Sequence, residues 1–184
     1  MPILTIIRHA ETECNIAGIF AGRIDCDITR KGFEEASKLL SEKEKDFDYI
    51  FISPLKRAKQ TLDAMLHGSI PIVDKRLIAM SIGEWEGKKK NSFNKDLVYS
   101  YRLGKYTPLG AETISQVDER VCDFIESIFN NYNKNDKILI ITHSTVMRSI
   151  KRNFVRNCEN IILKNLEKII LTEDDFIYFL QNKN

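Results

Sequence analysis

Residues 4–15, LTIIRHAETECN, decide how the chain is read. An apolar run of β-formers, ILTII at 3–7, stops abruptly at Arg8 and His9. It is too short for a helix and apolar on both alternating faces. That is how a strand reads when helices cover both sides of its sheet. Two more runs share this character, YIFI at 49–52 and KILII at 137–141. They end in Ser53-Pro54, with Arg57 one turn on, and in Thr142-His143.

Helical patterns lie between the runs. Residues 30–43 stripe Phe33, Ala36, Leu39 and Leu40 behind an N-cap at Thr29. Residues 54–66 stripe Leu55, Ala58, Leu62 and Met65 behind Pro54. Residues 112–130 stripe Ile114, Val117, Val121, Phe124, Ile125 and Ile128, and 144–153 read as a further helix. Strand–helix alternation predicts an α/β fold, a three-layer α/β/α sandwich on a mostly parallel sheet. The C-terminal KIILTEDDFIYFL reads as two strands joined at Glu173-Asp174-Asp175, an antiparallel edge hairpin. Residues 88–110 have weak periodicity and read as an insertion or lid.

The 184 residues fit one domain, residues 1–184. A formal charge of +2 gives no reason to expect a nucleic-acid surface, so any basic site must be local. Lys88-Lys89-Lys90 reads as a solvated loop. No stretch approaches the roughly 18 apolar residues of a membrane span, and the N-terminus lacks the marks of a signal peptide. Cys14, Cys26, Cys122 and Cys158 are scattered without a CxxC pair, which predicts reduced thiols and a cytoplasmic protein. Cys14 lies near His9, but no general base is evident beside it.

In layered α/β sheets, ligands bind beyond the carboxyl ends of the strands. The three run ends therefore deliver Arg8, His9, Arg57 and His143 to one rim. Arginine offers a planar, permanently charged fork of donors suited to phosphate or carboxylate oxygens. A histidine among such cations resists protonation and keeps a free ring nitrogen. The chain has no HxH or HExxH metal motif and no GxxxxGK[ST] nucleotide loop. Phosphoryl transfer onto a histidine, with no metal or other cofactor, fits this set.

These residues resemble the histidine phosphatase (phosphoglycerate mutase-like) superfamily. RHAETECN is similar to its Arg-His-Gly-x-Thr-x-x-Asn signature, and GRIDCDITRKG to its substrate loop and the helix entrance after it. ISPLKRAKQT, IGEWEG, PLGAET and ITHSTVMR stand, in order, where the family has Ser-x-x-x-Arg-Ala-x-Gln-Thr, Phe-Gly-x-Trp-Glu-Gly, Gly-Glu-Ser and His-Gly-x-x-x-Arg. The resemblance covers roughly residues 3–150. It implies that His9 attacks phosphorus, that Arg8, Arg57 and His143 hold the phosphoryl oxygens, and that Asn15 and Ser144 line the same site. Arg23 would touch the rest of a small phosphorylated substrate. A phosphatase is implied first, and a mutase or a degenerate phosphoryl-binding relative are the alternatives. A homodimer is left open.

The chain departs from the family at three positions. Ala10 and Ser144 replace glycines that come after the two histidines. Ala79, four residues before Gly83, replaces the glutamate that acts as general acid. Glu84 is the nearest substitute acid, with Glu11 as a second candidate.

Overall fold

The computed structural model describes residues 1–156 and 163–183, and Cys158 lies outside them. Five strands form one sheet in the order β3-β2-β4-β1-β5. These are β1 (Ile3–Arg8), β2 (Tyr49–Ile52), β3 (Ile72–Val73), β4 (Lys137–Thr142) and β5 (Lys168–Leu171). β1, β2 and β3 all run parallel to their neighbours on the β4 side of the sheet, and β5 pairs antiparallel with β1. The helices are α1 (Glu13–Ile16), α2 (Arg30–Ser37), α3 (Lys56–Met65), α4 (Lys95–Arg102), α5 (Ile114–Asn131), α6 (Ser144–Phe154) and α7 (Glu173–Asn182).

The isoleucine-rich runs become two-sided strands, as their pattern requires. Ile138 and Ile140 of β4 join Leu4, Ile6 and Phe51 in a core with α5, α6 and α7. Their neighbours Leu139 and Ile141 face the other way, joining Ile7 and Ile52 against Ala36, Ala58, Leu62 and Met65 of α2 and α3. Period-two alternation thus feeds two helical layers. Register places Arg8 beside Thr142, so β1 and β4 end side by side and His9 and His143 leave the sheet together.

Two readings are corrected. α2 does not bury Phe33, which is 46% exposed. Gly32 is buried instead, and a Cβ there would meet the Glu11 carbonyl oxygen at 2.5 Å. The bare glycine lets the helix lie against the backbone just beyond His9, and this turns Phe33 outward. The C-terminal edge is antiparallel, but β5 leads into a helix rather than a second strand. Thr172 and Asp175 form a capping box, and Glu173, Asp174 and Asp175 occupy the first turn, where acidic groups favour a helix N-terminus. Phe176 and Phe179 then stack on Phe129 and Phe154, with ring centroids 4.4 and 4.3 Å apart.

The thiol reading is also corrected. Cys14 and Cys26 form a disulfide, with Cα atoms 6.0 Å apart. It ties α1 to the loop that enters α2. Closing a loop of this length restricts the unfolded chain, so reduction is expected to lower stability by about 3 kcal/mol. Denaturant unfolding with and without dithiothreitol measures this, and an unchanged midpoint would refute it.

Among the described residues, no helix is long and apolar enough to cross a membrane.

Candidate active site

A pocket of about 150 Å³ opens at the carboxyl ends of β1 and β4, and Arg8, His9, Asn15, Arg57, His143 and Ser144 all line it. The rim inferred from the three run ends is therefore one physical site. The rings of His9 and His143 lie 5.2 Å apart, centroid to centroid.

His9 is held by its backbone and its ring. Its backbone N–H donates to Thr142 O, which continues the β1–β4 ladder by one residue. Its Nδ1 lies 2.8 Å from the Ala10 carbonyl oxygen. A carbonyl can only accept, so Nδ1 carries the proton and Nε2 keeps its lone pair. Burial, then Arg57 and Arg8, holds the His9 pKa well below its usual range. At neutral pH the ring is neutral, with its lone pair on Nε2.

Arg57 is clamped from three directions. Its Nη1 and Nη2 donate to Ile24 O and Gly22 O, both at 2.8 Å, and its Nε donates to His143 Nδ1 at 3.3 Å. His143 Nε2 in turn donates to Ser53 Oγ at 2.6 Å. Both ring nitrogens of His143 are thus engaged, one with Arg57 and one with Ser53. The Gly22 and Ile24 carbonyls belong to the loop that the Cys14–Cys26 bridge secures. Arg8 donates through Nη1 to Leu163 O, while its buried Nε has no partner among the described residues. Burial, with Arg148 and Arg57 nearby, lowers the Arg8 pKa to about 10. An anion in the pocket would relieve that strain on the charge.

Asn15 accepts from the Thr12 backbone N–H and from Asn165 Nδ2 through its Oδ1. Its own amide NH₂ is left for the pocket. Asn165 also donates to the carbonyls of His9 and Ala10, both at 3.0 Å. No motif flagged Asn165, because it reaches the site from 150 residues away along the chain.

The two lost glycines cost no backbone strain. Ala10 and Ser144 are not among the residues with positive φ. Ala10 is fully buried, and its N–H donates to Thr61 Oγ1 at 3.0 Å. Gly83 differs, with φ of +55° and no room for a Cβ beside the backbone at Leu109 and Gly110.

The carboxylates do not reach the pocket. Ala79 lines it, as the resemblance implies for the acid position, but no Asp or Glu does among the described residues. Glu84 is exposed, and its backbone N–H bonds to Leu109 O. Glu11 accepts from Thr29 Oγ1 and lies 3.9 Å from Lys31 Nζ. Neither is positioned as a proton donor here. Arg23 also misses the pocket. Its Nε donates to Ala79 O and its Nη2 pairs with Glu112, which Arg120 holds from the other side. It braces the Ala79 segment.

The 88–110 segment does cover the site. Trp85 packs against Phe93, Tyr101 and Tyr106 at centroid distances of 4.4, 5.2 and 5.6 Å. This aromatic cluster seats α4 and brings Lys90, Tyr101 and Arg102 to the pocket wall. Lys90 had read as a solvated loop residue; its neighbours Lys88 and Lys89 are exposed, but Lys90 is half-buried.

Both pocket histidines are buried and neutral, His143 for the same leading reason as His9, burial and then Arg57. Their folded pKa values lie below the unfolded value near 6.5, so the unfolded chain binds protons first as pH falls. Stability is fully present above pH 6.5 and is expected to fall by about 2–3 kcal/mol per pH unit below it for the pair. Urea unfolding between pH 7 and 5 tests this, and a flat profile would count against neutral burial.

Residues 4–170 match the model of the histidine phosphatase superfamily (branch 1). A putative phosphoserine phosphatase 2 of Hydrogenobacter thermophilus is 35% identical over 159 residues, 82% of this chain and 77% of that protein. A 2,3-bisphosphoglycerate-dependent phosphoglycerate mutase of Rhizobium etli is 31% identical over 170 residues, 85% and 81% of the two chains. Among solved structures, a mycobacterial glucosyl-3-phosphoglycerate phosphatase complexed with VO3 superposes with a TM-score of 0.81 over 92% of each chain, at 18% identity.

Proposed function

The chain belongs to the histidine phosphatase superfamily, and from that premise we propose that it is a metal-independent phosphatase that hydrolyses a small phosphorylated substrate through a phosphohistidine on His9. The observation that carries the reading is the His9 tautomer: Nδ1–H is spent on Ala10 O, and the free Nε2 shares its pocket with half-buried Arg8 and buried Arg57. Phosphorus is attacked by Nε2. The free guanidinium protons of Arg8 and Arg57, and the Asn15 amide, hold the equatorial oxygens as charge develops on them. Ser144, at the start of α6, lines the phosphoryl site. His143 keeps Arg57 aimed, and a direct bond from His143 to the phosphoryl group would need it to release Arg57 or Ser53. Water then attacks the phosphohistidine and releases phosphate.

The test is transfer of labelled phosphoryl from 4-nitrophenyl phosphate to the protein, with mapping of the label. Label on His9 that chases into inorganic phosphate supports the phosphatase. Label that moves instead to a phosphoglycerate acceptor supports the mutase alternative. Ala79 favours a second reading, a degenerate relative that binds phosphorylated ligands without turnover. Stable binding with no label would support it.

A further inference from the structure

Five cationic side chains line the pocket, and none of them forms an ion pair among the described residues. Three arginines elsewhere in the molecule are paired with carboxylates: Arg120 with Glu112, Arg152 with Asp118, and Arg76 with Asp74. Arg8 and Arg57 belong to the phosphoryl site. The other three, Lys90, Arg102 and Arg148, stand on the wall formed by the 88–110 segment and α6. Arg148 is half-buried, and its one side-chain hydrogen bond among the described residues goes to the neutral Thr145 hydroxyl, at 3.0 Å. Burial disfavours the charged forms of both Arg148 and Lys90, and Arg102 adds to the effect in each. Gathering unpaired cations in a half-buried wall is costly unless an anion joins them.

A second observation concerns the leaving group. The pocket holds no carboxylate among the described residues, and Ala79 stands where the family has its acid. An alcohol leaves poorly without a proton, since its conjugate base is of the strength of hydroxide, water having a pKa of about 15.7. A phosphate group titrates near pH 6 (about 6 for a phosphate monoester) and leaves as a stable anion.

One substrate class satisfies both observations. Resting on the phosphohistidine reading above, we infer that the substrate is a phosphoanhydride, whose leaving group is itself a phosphate received by Lys90, Arg102 and Arg148. His9 Nε2 forms the new bond to the terminal phosphorus. The bridging P–O bond breaks, and its electron pair stays on the departing phosphate, which needs no proton. In the second step water adds to phosphorus, the P–N bond breaks, and its electrons return to His9 Nε2. The proton released by water goes to the solvent or the product phosphate. The cationic wall thus takes the place of the missing acid: it stabilises the leaving charge electrostatically where a glutamate would neutralise it.

The experiment compares three probes on the full chain: tripolyphosphate, 4-nitrophenyl phosphate and phosphoserine. The first has a good and anionic leaving group, the second a good leaving group without phosphate, the third a poor one beside a carboxylate. The expected kcat/KM for tripolyphosphate exceeds both others by roughly 10-fold or more, the worth of one charge-assisted contact. Arg148→Met and, on the exposed end of the wall, Arg102→Met should each cut the tripolyphosphate value roughly 10-fold more than the 4-nitrophenyl phosphate value. Arg102→Met, at an exposed position, guards against misfolding of the Arg148 variant. Phosphoserine as the best substrate, or equal losses on all probes, would overturn the inference and leave the phosphatase reading standing. If no probe labels His9, the phosphatase reading falls first.

Discussion

An Ala79→Glu variant is expected to hydrolyse alkyl phosphates such as phosphoserine roughly 10²–10⁴-fold faster than the native protein, the usual worth of a positioned acid. Ala79 lines the pocket, and its carbonyl is anchored by Arg23 Nε at 3.1 Å, so a longer side chain would start from a fixed backbone. The new carboxylate would face Arg8, Arg57 and the cationic wall. In the free protein those charges would hold it ionised, and a bound phosphoryl dianion would push its pKa back up. The gain should therefore be largest below neutral pH. On tripolyphosphate the same carboxylate repels the leaving phosphate, so activity there should fall. Steady-state kinetics on both substrates measure the contrast. A variant with no gain on phosphoserine would show that leaving-group protonation does not limit the native protein.

His9→Ala is expected to abolish phosphoryl labelling and to lower turnover by about 10⁴-fold or more, to the level that binding and charge stabilisation alone support. The surrounding scaffold does not depend on the imidazole. The Thr142 contact is made by the residue 9 backbone N–H, and Asn165 holds the residue 9 and 10 carbonyls. The variant should also lose about half of the acid sensitivity of stability, because one of two buried neutral histidines is gone. Loss of labelling together with a shallower acid profile would tie both effects to one ring. Label retained in His9→Ala would move the nucleophile elsewhere.

The fold was legible because its decisive signals are local. Ile-rich runs at 3–7, 49–52 and 137–141 are apolar on both faces, and only a sheet between helices buries both. Their endings place Arg8, His9, Arg57 and His143 at one rim before any contact is known. The misread C-terminal helix was also a local matter, in which three acidic residues that suit a turn suit a helix N-terminus equally. Phe33 was misread because the packing at Gly32 depends on a backbone at residue 11, which periodicity does not carry.

Residue type and spacing along a strand or helix were enough for the layered sheet and for a rim of Arg8, His9, Arg57 and His143, while the resemblance to the family marked Ala79 as the position that lacks the acid. Tertiary structure alone decided which groups share the pocket. It removed Glu84, Glu11 and Arg23 from the pocket lining, joined Cys14 to Cys26, and brought Asn165 beneath His9. It also turned Lys90, Arg102 and Arg148 onto one wall without a carboxylate partner among the described residues. Electrostatic fields and hydrogen bonds act through space, so the balance of charge in a site depends on distances that chain order does not specify.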